Sequence, residues 1–154
     1  MRLTFLVLPA LFAAGAATAQ DCSSVTVGDL TVSQAWARAT IGADRPAALY
    51  LTIRNDGAGD DRLEELTTPA ATMPMLHETV VEDGVAQMPH AEHVSIPAGE
   101  TVALEPGGYH GMLMGLAEAL EVGNTFPATL AFQSGAEVTV KVQVLPLPSQ
   151  GPEC

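Results

Sequence analysis

Short apolar or alternating runs, separated by turn residues, fill the chain from residue 24 onward. Eight or nine such runs recur at roughly ten-residue spacing, punctuated by Gly, Asn or Asp as at Gly28-Asp29 and Asn55-Asp56-Gly57. No segment longer than about ten residues shows helical periodicity. Residues 116–122 fit either one turn of helix or a loop. The pattern predicts an all-β sandwich or barrel in a single domain, without a linker or an internal repeat.

The first nineteen residues follow a different pattern. Arg2 precedes an apolar run from Leu3 to about Ala14, and small residues end the segment at Ala17-Thr18-Ala19. This is the layout of a secretory signal peptide. We therefore expect an exported protein with a signal peptide at 1–19 and a mature domain at 20–154.

Membrane attachment is not expected from these residues. The apolar run is shorter than the roughly 20 residues that span a bilayer, and no later segment approaches that length. Cys22 follows Ala19-Gln20-Asp21, which lacks the small apolar residues that lipid attachment requires. The sequence predicts no membrane insertion and no lipid anchor.

The charge of the chain excludes some partners. The formal net charge is −12, and removal of Arg2 with the signal segment makes it −13. Nucleic acids and anionic membrane surfaces attract clustered positive charge, so neither is an expected partner. Solubility of an exported protein explains the acidity, and attraction to cations or to a basic docking face is the alternative.

The two cysteines lie at the two ends of the mature chain. Cys22 and Cys154 are expected to form a disulfide in an oxidising compartment, because the termini of a sandwich often lie close together. Two free thiols acting as metal ligands are the alternative. Their separation excludes a Cys-x-x-Cys redox motif.

Histidine and methionine occur together in two of the predicted strands. Alternation places Met73, Met75 and His77 on one face of the first strand, with Leu76 on the other. It places His110, Met112 and Met114 on one face of a later strand, with Leu113 on the other. A single methionine is usually core filler, but His110 and Met112 follow the exposed turn at Gly107-Gly108.

The donor types favour copper over other metals. A thioether is a soft, neutral donor that prefers Cu(I), and imidazole also binds copper, whereas zinc and magnesium sites favour thiolate, imidazole or carboxylate. A thioether also persists in an oxidising compartment where a thiol is lost to disulfides. Histidine must be neutral to bind, so copper affinity is expected to weaken as pH falls through about 6.5.

The spacing of four of these residues matches a known family. His77, ten residues, Met88, twenty-one residues, His110, one residue and Met112 resembles the His-x10-Met-x21-His-x-Met signature of the periplasmic copper chaperones called PCuAC proteins. The surrounding sequence also resembles that family, in the segments AWARAT, AALYLTIRN, DDRL, IPAGE and PGGYHGMLMGL. The resemblance covers essentially all of residues 24 to 145.

The resemblance implies a fold, a location, a site and a function. The fold would be a cupredoxin-like, Greek-key β-sandwich in the periplasm, with Cu(I) bound at the surface by His77, Met88, His110 and Met112. The protein would carry copper toward the binuclear copper centre of cytochrome c oxidase, its partners being the copper subunit of that oxidase and a Sco-type thiol protein. It would not be an enzyme.

Several residues near the signature need a separate interpretation. His90 and His93 could hold an accessory Cu(II), which favours nitrogen donors, but solvated loop histidines are the simpler interpretation. Gly111 stands where a bulkier residue is expected and would loosen the loop. At least one of Met73 and Met75 is expected in the strand core.

Trp36 and Arg38 lie in the segment AWARAT, which resembles the family. We assign neither residue a role in metal binding or catalysis. Trp36 is expected to anchor the core, which is the commoner use of a buried indole. Arg38 is expected to pair with one of the many carboxylates.

Other functions fit the sequence less well than a copper carrier. An electron-transfer cupredoxin needs a cysteine thiolate with two histidines, and no cysteine lies between residues 23 and 153. No Ser-His-Asp arrangement or carboxylate pair indicates a hydrolase. Copper sequestration without delivery, and an interaction sandwich with core methionines, remain as alternatives.

Overall fold

The computed structural model describes residues 22–154, and within them it forms twelve β-strands. The predicted signal peptide at 1–19 lies outside the described residues. The strands are β1 Ser24–Val27, β2 Leu30–Arg38, β3 Ala47–Asn55, β4 Asp61–Thr67, β5 Ala71–Glu78, β6 Val80–Glu82, β7 Val85–Gln87, β8 Val94–Ile96, β9 Thr101–Leu104, β10 Tyr109–Leu116, β11 Thr125–Phe132 and β12 Glu137–Leu145.

Ten strands form one sheet that folds back on itself, and two form a separate hairpin. The main path runs β5-β10-β3-β2-β12-β11-β4-β8, with β1 added to β2 and β9 added to β3. Strands β6 and β7 pair only with each other. All pairs are antiparallel except β12 with β2. No helix occurs between residues 22 and 154, and 117–124 is a loop, so the predicted all-β fold is confirmed.

The two inner faces of the folded sheet enclose one large core. Its fully buried members come from nearly every long strand, and alternation turns the residues between them to the outer face of the sheet. The largest are Leu49, Leu51, Ile53, Leu63, Ile96, Leu113 and Leu130. Because β5 and β10 contribute Leu76 and Leu113 to it, the strands that carry the histidines are fixed from behind by apolar packing.

Strand β4 was missed by the sequence pattern. Its buried residues, Leu63 and Leu66, are three positions apart with Glu64 and Glu65 exposed between them, a spacing that does not alternate. The register against β11 shifts here, since Glu65 faces Ala131 while Leu63 faces Phe132. This β-bulge accommodates one extra residue and returns both leucines to the core.

A second, smaller apolar cluster lies on the outer face of the sheet. Trp36, Tyr50 and Leu145 are all buried there, and the two aromatic rings lie 4.5 Å apart. Burial of Trp36 agrees with its predicted role as a packing anchor. The guanidinium of Arg38 lies over both rings and donates from Nε and Nη2 to the carbonyl oxygen of Ser149.

The two chain ends are joined by the disulfide Cys22–Cys154, as the cysteine positions predicted. Neither cysteine is a free thiol, so thiolate metal ligation by this pair is excluded in this state. Across residues 22–154 no helix has the length and apolar character needed to cross a membrane.

Candidate metal centre

Strands β5 and β10 place the predicted ligands side by side. His77 lies directly opposite His110 in the antiparallel register, and Met75 lies opposite Met112. Directly opposed residues project from the same face of a sheet with Cβ atoms roughly 4.5–5.5 Å apart. The sequence predicted a histidine and methionine face on each strand separately. Only the pairing of β5 with β10 shows that these residues lie on the same face of the sheet.

The β6–β7 hairpin brings Met88 to the same place. Its turn is Asp83-Gly84, both with positive φ (50° and 79°), which is the conformation that tight two-residue hairpins favour. The chain then returns along β5, where the amide of Glu78 donates to Pro89 and the amide of Ala91 donates to Leu76. His90 thereby forms an isolated bridge with His77.

Three imidazole rings consequently stand in a row across neighbouring strands. The ring of His77 lies 5.9 Å from that of His110 and 6.0 Å from that of His90. Both ring nitrogens of His77 are shielded from solvent and have no hydrogen-bond partner. A buried polar atom without a partner costs free energy of about 1–3 kcal/mol, so a cation bound to the unprotonated nitrogen of His77 would relieve part of this cost.

His110 is already oriented for a metal. Its side chain is buried, and Nδ1 lies 3.1 Å from the carbonyl oxygen of Gly108. A carbonyl only accepts, so Nδ1 carries the proton and Nε2 keeps its lone pair. Such a hydrogen bond fixes the tautomer and ring orientation of histidine ligands. The ring of Tyr50, 6.5 Å away, packs beside it.

The two methionines of the predicted set differ in exposure. Met112 is half-buried on β10, and Met88, directly after β7, is 53 % exposed. A fixed thioether beside the histidines and an accessible one at the rim suit an ion that must be both held and released.

The surroundings of His77 keep it in the donor form. Burial lowers the pKa of His77 below its usual range, and the positive charges that His110 and His90 can carry lower it further. The polar backbone of Met88, close to the ring but short of hydrogen-bond geometry, acts weakly in the opposite direction. His77 therefore stays neutral at a lower pH than a free histidine, which moves the predicted loss of affinity below about 6.5 for this ligand.

Two expectations about neighbouring residues were wrong. Gly111 does not loosen a loop: it is buried inside β10, and a Cβ there would lie 2.6 Å from Leu66 Cδ2 and 3.3 Å from Leu49 Cβ. Neither Met73 nor Met75 is in the core, since Met73 is 55 % exposed and Met75 is half-buried on the outer face.

The donor set suits a soft ion better than a hard one. Within the described part of the chain, no three His, Cys, Asp or Glu side chains are placed to hold a metal. His90 and His93 thus form no separate cluster of that kind, and His90 instead contacts His77. With the thioethers of Met88 and Met112 the predicted set has four donors, a mixture that suits Cu(I).

A large cavity lies elsewhere, and it lacks the predicted ligands. Its volume is about 560 Å³, and residues 117–126 form much of its lining. Those residues follow the end of β10, whereas His110 lies at its start. The candidate centre is therefore a surface site on the outer face of the sheet and not a substrate cavity.

Fold and site together define a class: a cupredoxin-like β-sandwich with a surface cluster of histidine and methionine. Comparison with known families then places the chain in a family. Residues 30–144 match the model described as "LpqE-like: Putative lipoprotein LpqE-like", and the chain belongs to that family.

A curated relative supports this assignment. The "Putative lipoprotein Lxx21020" of Leifsonia xyli subsp. xyli (strain CTCB07) is 37% identical over 149 residues, which cover 94% of this chain and 89% of the relative.

Solved structures with the same fold are PCuAC domains and similar copper-bound proteins. The Cu(I) form of DR1885 from Deinococcus radiodurans is 32% identical, covers 87% of this chain and 88% of its own, and has a TM-score of 0.63. The copper-bound PCuAC domain from PmoF2 is 23% identical, with 80% and 98% coverage and a TM-score of 0.69. The resemblance to PCuAC proteins predicted from the sequence is confirmed.

Proposed function

We propose that this protein is an exported carrier of Cu(I) that binds one ion through His77, Met88, His110 and Met112. The observation that carries the proposal is the pair of shielded, unpartnered nitrogens of His77 directly opposite His110. A metal on the unprotonated nitrogen would compensate part of the cost of burying this ring.

The coordination chemistry supports a carrier over a catalyst. The proposed ligands are two neutral imidazoles and two neutral thioethers. They include no cysteine thiolate, which is the ligand that a blue-copper electron-transfer site uses. Met88 directly follows the β6–β7 hairpin and is exposed, which gives an incoming ligand of a recipient protein access to the ion.

Export is supported by three independent features. Residues 1–19 have the signal-peptide pattern, Cys22 and Cys154 form a disulfide, and the Leifsonia relative is named "Putative lipoprotein Lxx21020". In this chain Cys22 is part of the disulfide and so not free for lipid attachment. We infer a soluble protein in the periplasm or an equivalent oxidising compartment.

The destination of the copper follows from the resemblance alone. We propose delivery to the copper subunit of cytochrome c oxidase during assembly of its binuclear centre, together with a Sco-type thiol protein. Sequestration for copper tolerance uses the same site and differs only in lacking a recipient.

The test of the site is an anaerobic Cu(I) titration against a coloured competitor ligand. The native protein is compared with a Met88→Ala, Met112→Ala double variant and with Val122→Ala, which truncates a similarly exposed apolar residue beyond the far end of β10. We expect tight binding in the native protein and in Val122→Ala, and strong weakening in the double variant. Equal binding in all three would refute the site.

Delivery is tested separately. The Cu(I)-loaded protein is mixed with the soluble domain of the oxidase copper subunit, with and without a Sco-type protein, and the optical spectrum of the binuclear centre is followed. Appearance of that spectrum supports delivery, and retention of copper by the loaded protein supports sequestration.

A further inference from the structure

The ladder that pairs His77 with His110 continues into a run of methionines. Met75 faces Met112, and in the next rung Met73 faces Met114. We call these four residues the methionine ladder. Of these four residues, only Met112 belongs to the proposed copper site. The thioethers of Met73, Met75 and Met114 lie on the same face and have no role assigned.

These methionines do not fill the core. Met73 is 55 % exposed, and Met75, Met112 and Met114 are half-buried. Core filling is the ordinary use of methionine, and the residues enriched in strands are β-branched or aromatic. The core beneath the ladder is made by the alternate residues of the same strands, such as Leu76 and Leu113.

The spacing of the ladder allows several sulfurs to meet at one ion. Opposed Cβ atoms are roughly 4.5–5.5 Å apart, and successive rungs are separated by about 7 Å, two residues of strand rise. A methionine side chain has three rotatable bonds, so sulfurs from adjacent rungs can converge without moving the backbone.

Harder ions find no donors within the ladder. Its rungs contain only thioethers below the histidine pair. The adjacent rung on the other side of the histidines pairs Tyr109 with Glu78, and alternation turns those two side chains to the opposite face. A set of neutral, soft donors selects Cu(I) over zinc, calcium or magnesium.

We propose that Met73, Met75 and Met114 form a second, weaker Cu(I) site next to the first. The inference rests on the proposed function in so far as copper is the expected ion. The carrier would then hold two ions per chain at high copper, and one at low copper. Three thioethers without an imidazole bind less tightly than the mixed first site, which fixes the order of filling.

The experiment counts Cu(I) ions and assigns them to individual methionines. Anaerobic titration to several equivalents is run on the native protein, on a Met73→Leu, Met75→Leu, Met114→Leu triple variant, and on Met112→Leu. Leucine conserves volume and removes only the sulfur, and an unfolding curve for each variant verifies the fold. In parallel, the methionine ε-methyl signals are followed by NMR during titration with Ag(I), a redox-inert substitute.

The expected result is two equivalents in the native protein, the second at least tenfold weaker. The triple variant should keep the first equivalent within about twofold and lose the second. The signals of Met88 and Met112 should shift with the first equivalent of Ag(I), and those of Met73, Met75 and Met114 with the second.

Other results overturn the inference in recognisable ways. A single equivalent in the native protein, lost in Met112→Leu, leaves the proposed carrier site standing and refutes the second site. A second equivalent that survives in the triple variant places that ion elsewhere. Failure of the proposed function itself gives a different result, because tight binding would then be insensitive to Met112→Leu.

Discussion

The four proposed ligands come from two regions that differ in how firmly they are held. His77, His110 and Met112 lie on adjacent strands of the ten-stranded sheet, backed by the main core. Met88 follows a two-stranded hairpin that pairs with no strand of that sheet, and every residue from 81 to 90 is exposed. Segments with few buried apolar contacts open more readily than core strands, so we expect the sheet donors to contribute most to affinity and Met88 to govern entry and release of the ion.

Removal of a sheet ligand should give the largest effect. We expect His110→Ala to weaken Cu(I) binding by more than about 100-fold, because even changes to outer-shell partners cost roughly 10–100-fold. Competitor titration measures the change. His93→Gln is the matched control, since His93 stands outside the ring contacts described for the other histidines; equal losses in both variants would contradict the assignment of His110.

The sheet region can also be destabilised by a substitution on the core side of β10. Gly111→Ala places a Cβ against Leu66 and Leu49, and overpacking of this kind costs roughly 1–3 kcal/mol of unfolding free energy. Urea unfolding should show the loss. Gly108→Ala in the preceding turn is the control, because its Cβ meets only Glu105 at 3.7 Å or more; an equally large loss there would argue against the close packing of Gly111.

Removal of the hairpin ligand should have a smaller effect on affinity than removal of a sheet ligand. We expect Met88→Leu to weaken Cu(I) binding about tenfold, or about 1.4 kcal/mol, and to speed release. Stopped-flow transfer to a competitor separates the two rates. A loss of Cu(I) affinity in Met88→Leu as large as that in His110→Ala would contradict the proposed difference between the two regions.

Strain in the hairpin turn should leave the sheet unaffected. Gly84 has a φ of 79° with open space around it, so Gly84→Ala costs roughly 1–2 kcal/mol of local backbone strain and nothing in packing. Amide exchange should speed up at residues 80–87, with the global unfolding midpoint unchanged. Gly59→Ala, also in open space but without a positive φ, is the control; a fall in global stability specific to Gly84→Ala would show that hairpin and sheet unfold together.

Alkaline pH should act on the sheet region alone, and weakly. Burial raises the pKa of Tyr50, against an opposing effect of Arg38, and burial together with Glu78 raises the pKa of Tyr109. The unfolded chain therefore loses these protons first, so stability is retained below about pH 10 and declines as pH rises beyond it. Urea unfolding at pH 8 and above pH 10 measures the decline. A Tyr50→Phe, Tyr109→Phe variant should reduce it, and an unchanged decline would assign it to other groups.

Local patterns in the sequence predicted much of the fold. Alternation located most of the strands and the faces of His77, His110 and Met112, because side-chain direction in a strand has a period of two. It failed at β4, where a β-bulge breaks the period, and for the environment of Gly111, because burial by Leu49 and Leu66 comes from strands distant in sequence.

The candidate site shows the same division between local and long-range information. The sequence by itself determined the donor types, their spacing and the family resemblance, since these depend on side-chain chemistry and order along the chain. Only the tertiary structure decided that His77 faces His110, that His90 contacts His77 and that Met73 and Met75 lie outside the core. Strand register is the physical reason: it depends on which distant segments share a core, and no local pattern encodes that pairing.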